Sequence, residues 1–118
     1  MIKIVALIPR RSELSVEEFR TYYEQRHAPL FARVIPAPVD RAIKHYVQNH
    51  AVQIGSSTAE PPWDCVTEIG FDDMTGMRLW SNWYLGDEGA ILRDDERNFM
   101  DVERRVVIVT EVRHPVNR

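Results

Sequence analysis

The spacing of apolar and polar residues changes several times along the chain, and each change predicts a new element. Ile2–Ile8 is a strand-like apolar run, stopped by Pro9 and followed by a polar turn through Arg10, Arg11, Ser12 and Glu13. A helical period begins after that turn. Ser15 with Glu18 three residues later forms a capping box, in which each side chain satisfies a backbone N–H that the first helical turn leaves without a partner. Val16, Phe19, Tyr23, His27 and Leu30 recur at intervals of three and four and make one stripe, with Glu17, Glu24 and Arg26 off it. Pro29 disfavours helical geometry at Ala28, so the regular helix is predicted to end near His27. Pro36 and Pro38 predict a loop, and residues 42–49 then alternate apolar and polar as a half-buried strand would. Residues 50–62, with Gly55-Ser56-Ser57 and Pro61-Pro62, read as a flexible connection or lid, and residues 63–71 as a third strand. Asp72 is placed to cap a second helix with Met77, Trp80 and Tyr84 on one face. Gly86 and Gly89 interrupt that helix before a short polar one through Arg97, and residues 102–112 read as the last strand.

Strand, helix, strand, strand, helix, strand is the order of a split βαβ unit. It predicts a ferredoxin-like α+β sandwich, a four-stranded antiparallel sheet with its helices on one face. A chain of 118 residues with 44% hydrophobic content makes one compact domain, spanning 1–118. In the first strand Ile2, Ile4, Ala6 and Ile8 lie on one face, but Val5 and Leu7 lie on the other; Val106, Ile108 and Val112 are likewise backed by Val107 and Val109. Both faces therefore read as buried. Leaving the second face in water costs roughly 25 cal/mol per Å² of apolar surface, so two sheets are expected to pack face to face in a homodimer.

Composition removes several function classes. Fifteen basic and eighteen acidic residues give a net charge of -3 with the signs interspersed, so nucleic acid is not an expected partner. The apolar run over residues 4–8 is too short to span a membrane and lacks the cleavage site of a signal peptide, so the chain reads as cytoplasmic with no membrane partner. Cys65 is the only cysteine, which excludes an internal disulfide and leaves a buried structural thiol as its reading. The four histidines, His27, His45, His50 and His114, contain no pair at helical i, i+4 spacing, so no metal site is legible. With no Gly-rich phosphate loop or nucleophile elbow either, no cofactor is expected.

The stretch Ser15-Val16-Glu17-Glu18-Phe19, followed by Glu24-Gln25-Arg26-His27-Ala28-Pro29-Leu30, resembles the EthD family of dimeric α/β-barrel proteins. Lys44-His45-Tyr46-Val47-Gln48-Asn49 resembles the second strand of that family, Trp63-Asp64 through Glu68-Ile69-Gly70-Phe71 its third, and Asp95-Glu96 with Phe99 the acidic turn before its last. The resemblance implies a ferredoxin-like fold that dimerises through its sheets, with a pocket between sheet and helices in each subunit. Its members include isomerases, cyclases and dehydratases of lactones and aromatic polyketides, and proteins encoded beside ether-degrading oxygenases. The fold is therefore implied more firmly than the reaction. The lactone isomerase type carries a cysteine two residues before the aromatic that ends the third strand; Ile69 stands there in this chain, which argues against thiol chemistry.

Two residues are candidates for chemistry. His27 can move a proton near neutral pH, because an unperturbed imidazole titrates at about 6.5, or it is a buried structural imidazole. Tyr46 matches the family's tyrosine and could polarise a carbonyl or donate to a developing enolate, or it is a packed core phenol. Successive strand residues alternate, so only one of His45 and Tyr46 faces the pocket. Tyr23, Gln48, Ile69, Phe71, Trp80, Trp83, Asp95 and Phe99 are candidates for contact with a flat hydrophobic ligand. Asp64 and Glu68 share a strand face roughly 13 Å apart, too far to act as a pair, and are expected to meet Arg41, Arg104 or Arg105. Asp94, Asp95 and Glu96 read as a solvated acidic turn; the family resemblance implies that Asp95 alone of the three reaches the pocket edge.

These readings converge on a cofactor-independent lyase or isomerase acting on a small hydrophobic carbonyl, lactone or aromatic compound. A protein that holds such a compound without transforming it is the first alternative. An oxidoreductase, working without cofactor or with haem as some related barrels do, is the second.

Overall fold

The computed structural model describes residues 1–55 and 60–118, so the expected lid over residues 50–62 lies in part outside the described residues. Strand β1 (Ile2–Ile8) is followed by α1 (Val16–Tyr22), whose first turn carries the expected capping box: Ser15 Oγ accepts from Glu18 N–H at 3.0 Å and Glu18 Oε1 accepts from Ser15 N–H at 2.9 Å. The helix does not end at His27. It widens into a π turn over Tyr23–His27, closed by a bond from Ala28 N–H to the Tyr23 carbonyl, and continues as α2 (Ala28–Val34). Pro29 has no N–H to offer a regular α turn, and the wider turn places it in the opening residues of α2, where none is needed.

Pro38 has the same effect in the segment expected to be a loop. That segment is the short helix α3 (Ala37–Ala42), with the Pro36 carbonyl accepting from Val39 and Asp40 and Pro38 in the first turn. Strand β2 (His45–His50) and β3 (Cys65–Phe71) come next, each starting later than the alternation suggested. Helix α4 (Met74–Leu85) is capped by Asp73 rather than Asp72, its carboxylate accepting from Gly76 N–H at 3.0 Å. A 3-10 turn (Asp87–Gly89) leads into α5 (Ala90–Glu96). A Cβ on Gly89 would run into the Tyr84 carbonyl, so glycine is the residue that fits this reversal. The last strand, β4 (Val106–Glu111), is shorter than the run of 102–112, because Arg104 N–H bonds the Asp101 carbonyl in a turn before it.

The four strands form one antiparallel sheet in the order β2-β3-β1-β4, with the connecting helices α1 and α4 between the paired halves, and the chain has the expected ferredoxin-like α+β fold. Ile4 stands opposite Ile69 and Val109, and Ile69 in turn opposite Tyr46, so these four share the helix-facing side. His45 pairs with Gly70 on the opposite side, so of His45 and Tyr46 it is Tyr46 that stands on the helix-facing side.

The core divides into two packed clusters. Ile8, Phe19, Tyr23, Cys65, Phe99 and Met100 fill the α1 end, and Ile35, Val39, Ile69, Phe71, Trp80 and Leu92 fill the α4 end. Burial of each such large side chain contributes about 1.5–3 kcal/mol, which ties both helices to the sheet. The far face is less well served. In the single chain Val106 and Ile108, on that face, are 41 and 49% exposed, so the chain's own helices leave it uncovered.

Candidate functional site

A cavity of about 320 Å³ lies between the helix-facing side of the sheet and the layer of α4 and α5, a volume within the range of small-molecule sites. The strand alternation that places Ile4, Ala6, Ile8, Ile69 and Val107 on one side makes its floor, and Trp80 closes it from α4. Six residues supply hydroxyl or charged groups: Tyr23, Thr67, Ser81, Tyr84, Glu96 and Arg105. Tyr23 and Thr67 satisfy one another through their hydroxyls at 2.6 Å. Burial drives the Tyr23 hydroxyl far above its ordinary pKa, so it stays protonated.

Glu96 is the centre of the polar end. It is only 7% exposed, and its Oε1 accepts from the Tyr84 hydroxyl at 2.5 Å and from Arg105 Nη1 at 3.0 Å. Burial first, and then the neighbouring carboxylate, push the Tyr84 hydroxyl well above the ordinary phenol range, which keeps it a donor. Its other oxygen, Oε2, accepts no hydrogen bond among the described residues and stands 3.9 Å from Nε2 of His27.

His27 is 3% exposed and lies behind the cavity wall rather than in it. The π turn sets its ring against Phe99, 5.0 Å between centroids, and Tyr23, 5.7 Å. Nδ1 is 2.8 Å from Asp95 Oδ2, and a carboxylate can only accept, so Nδ1 carries the proton and Nε2 is the nitrogen that meets Glu96. Asp95 also accepts from the Tyr22 hydroxyl at 2.6 Å and from Asn98 at 3.2 Å. Partial burial alone would raise its pKa, but the bonds from Tyr22, His27 and Asn98 outweigh that and hold the carboxyl below the usual carboxylate range. Asp95, His27 and Glu96 thus form a line that ends at the cavity.

The structure brings some of the expected residues together and separates others. Tyr23, Ile69 and Trp80 line the cavity. Trp83 packs against Trp80 at 5.8 Å between centroids, outside the lining. Phe71 and Phe99 are wholly buried core residues outside the cavity's lining. Tyr46 is on the right side of the sheet but stops short of the cavity: its ring lies 4.4 Å from that of Phe31, and its hydroxyl accepts from Gln48 at 3.3 Å. His27 and Tyr46 share no hydrogen bond among the described residues. Cys65, on the same strand face as Ile69, is fully buried and its thiol is pushed up to about 11 by that burial, which leaves it unreactive. Asp64 and Glu68 find other partners than those expected, Arg10 at 2.7 Å and Lys3 at 2.7 Å.

Glu96 and Arg105 were missed by sequence reasoning. The triplet Asp94-Asp95-Glu96 reads as a solvated turn, yet α5 turns two of its three carboxylates inward. Arg105 had a legible signal: counted back by twos from Val109 and Val107, it falls on the helix-facing side of the last strand's line.

The EthD domain model matches residues 11–103. Solved structures similar to this one include an EthD-like protein from Ralstonia eutropha, at 21% identity and a TM-score of 0.69, covering 99% of this chain and 94% of that one. An ethyl tert-butyl ether D family protein from Bacillus halodurans is 19% identical with a TM-score of 0.65, covering 96% and 99%. A dimeric protein of unknown function with a ferredoxin-like fold, from Bacteroides fragilis, is 14% identical with a TM-score of 0.58, covering 94% and 95%. No curated protein matches the sequence. Among the described residues no helix is long and apolar enough to cross a membrane.

Proposed function

We propose that this chain, which belongs to the EthD domain family, is a cofactor-independent lyase or isomerase that moves a proton on a small hydrophobic carbonyl, lactone or aromatic compound. One observation carries the reading: an Asp95, His27, Glu96 line, with His27 and Glu96 buried and Asp95 half-buried, opens onto a largely apolar cavity. Proton transfer by a positioned side chain needs an acceptor, a group that orients it and a water-poor space for the ligand, and these residues supply all three. In this reading His27 moves the proton, held in one tautomer by Asp95, and exchanges it with the cavity past Glu96. Tyr46 packs on Phe31 instead of the ligand, so polarising the ligand's oxygen falls to the polar groups of the wall.

The site is proposed to work in a homodimer. Val5, Leu7, Val47, Val66, Val106 and Ile108 share the sheet face opposite the helices, and a second copy of that face would remove them from water.

His27 being 3% exposed favours one rival, a protein that binds the compound and leaves it unchanged. Thermal-shift screening with lactones, phenols and polyketide-like aromatics identifies ligands, and product analysis follows on wild type and His27→Ala. The expected result is turnover that drops about 10²–10⁴-fold in His27→Ala with ligand binding retained. Full turnover in His27→Ala removes the histidine from the mechanism, and binding without product in wild type supports the rival.

A further inference from the structure

We infer that Glu96 and Arg105 form an enolising pair. Oε2 of Glu96 takes the proton from the carbon beside the ligand's carbonyl, and the open edge of the Arg105 guanidinium holds the oxygen as it becomes an enolate. The ligand is then a flat, apolar ketone or lactone with an acidic C–H next to the carbonyl, a narrowing that rests on the cavity being a proton-transfer site.

The two oxygens of Glu96 are unequal. Oε1 is occupied by the Tyr84 hydroxyl and Arg105 Nη1, whereas Oε2 accepts nothing among the described residues. Glu96 lines the cavity and is nearly excluded from bulk water, so its unoccupied Oε2 is free to meet a ligand there. His27 itself is behind the wall, so Glu96 is the member of the line that can touch a ligand.

Arg105 is the complementary half. It supplies the one cationic side chain among the described residues lining the cavity. A guanidinium carries five N–H donors in a planar fork. Here the hydrogen bonds among the described residues run through Nη1 alone, to Glu96 and to Met100 Sδ at 3.7 Å, which leaves Nε and Nη2 for an oxygen of the ligand. The 3.0 Å contact between the two groups places base and oxyanion donor side by side, as an O=C–C–H unit requires. Trp80, Ile4 and Ile69 then receive the apolar body of the molecule.

The step balances without an oxidant or metal. The C–H electron pair becomes the C=C bond of the enolate, the carbonyl π pair moves onto oxygen beside Arg105, and the proton rests on Oε2. Returning that proton to the same carbon gives exchange, and returning it to a conjugated carbon gives isomerisation. His27 Nε2, 3.9 Å from Oε2, is the next stop for the proton on its way to exchange with solvent.

The probe is 2-tetralone in D₂O, a flat apolar ketone whose loss of α-proton signal is followed by NMR against a buffer blank. Wild type is expected to accelerate exchange, with Glu96→Gln and Arg105→Ala each at least about 100-fold slower. Added ethylguanidinium is expected to restore exchange to Arg105→Ala, a rescue that a merely structural role would not produce. Should Glu96→Gln fail to fold, by circular dichroism, the rescue of Arg105→Ala decides. Exchange that persists in Glu96→Gln but is lost in His27→Ala overturns the pair and leaves the histidine reading standing. Tetralone that binds without exchange in wild type, or does not bind, overturns the pair and the catalytic reading together.

Discussion

Replacing Asp95 with asparagine removes a charge and leaves the shape of the side chain almost unchanged. Asp95 accepts from the Tyr22 hydroxyl at 2.6 Å and His27 Nδ1 at 2.8 Å, with its side chain 17% exposed. Hydrogen bonds to an ionised acceptor contribute about 1.5–3 kcal/mol each. The asparagine carbonyl can keep one of the two bonds, so the net loss is about 1.5–3 kcal/mol. Unfolding entropy of about 2.1 cal/mol/K per residue over 118 residues is roughly 0.25 kcal/mol/K, so the melting temperature falls by about 6–12 °C at pH 7. The pH dependence has a definite sign. The folded-state pKa of Asp95 lies below its unfolded value, so its stabilisation is complete above the ordinary carboxylate range and is lost as pH falls through the depressed folded value. Wild type and Asp95→Asn should therefore differ most at neutral pH and converge in acid. Calorimetry or thermal circular dichroism from pH 7 down to the acid limb measures both. An Asp95→Asn protein that melts within about 2 °C of wild type at pH 7, or a gap that widens in acid, refutes the account of how His27 is held.

Two further predictions follow from burial. Phe99→Ala removes a fully buried ring set against Phe19, Tyr22, Tyr23 and His27, and should cost about 3–5 kcal/mol in a denaturant titration, since Phe99 is core rather than ligand wall. Ile108→Glu puts a charge on the sheet face opposite the helices, at a residue 49% exposed in the single chain, and should convert a dimer to a monomer in sedimentation velocity; a wild type that is monomeric at micromolar concentration removes the sheet-packing proposal.

Local pattern carried most of the architecture. The capping box at Ser15, the apolar run of β1 and the alternation in β2 and β3 are each decided by neighbours in sequence, and they are enough to specify element order and hence the ferredoxin-like arrangement. Where the reading failed, prolines were the cause twice. The rule about the residue before proline stops a helix near Ala28, and Pro36 with Pro38 taken as loop markers makes a loop there, but a π turn and a helical first turn each accommodate the missing N–H. The stripe of Val16, Phe19, Tyr23, His27 and Leu30 was visible as a stripe, and the helix it belongs to runs on past it.

The polar end of the cavity was a different kind of question. His27, Asp95 and Glu96 are brought together from the π turn after α1 and from α5, 68 and 69 positions apart, and Arg105 reaches the same place from the approach to β4. The residue types and the faces of strands and helices are set along the chain. Which carboxylate meets which base, and that Glu96 is buried while Asp94 is not, depend on how α5 docks against the π turn. That docking is a packing outcome among Phe99, Tyr22 and Tyr23, and hydrophobic contact is without direction: it leaves a trace in sequence as an apolar position but not as a partner.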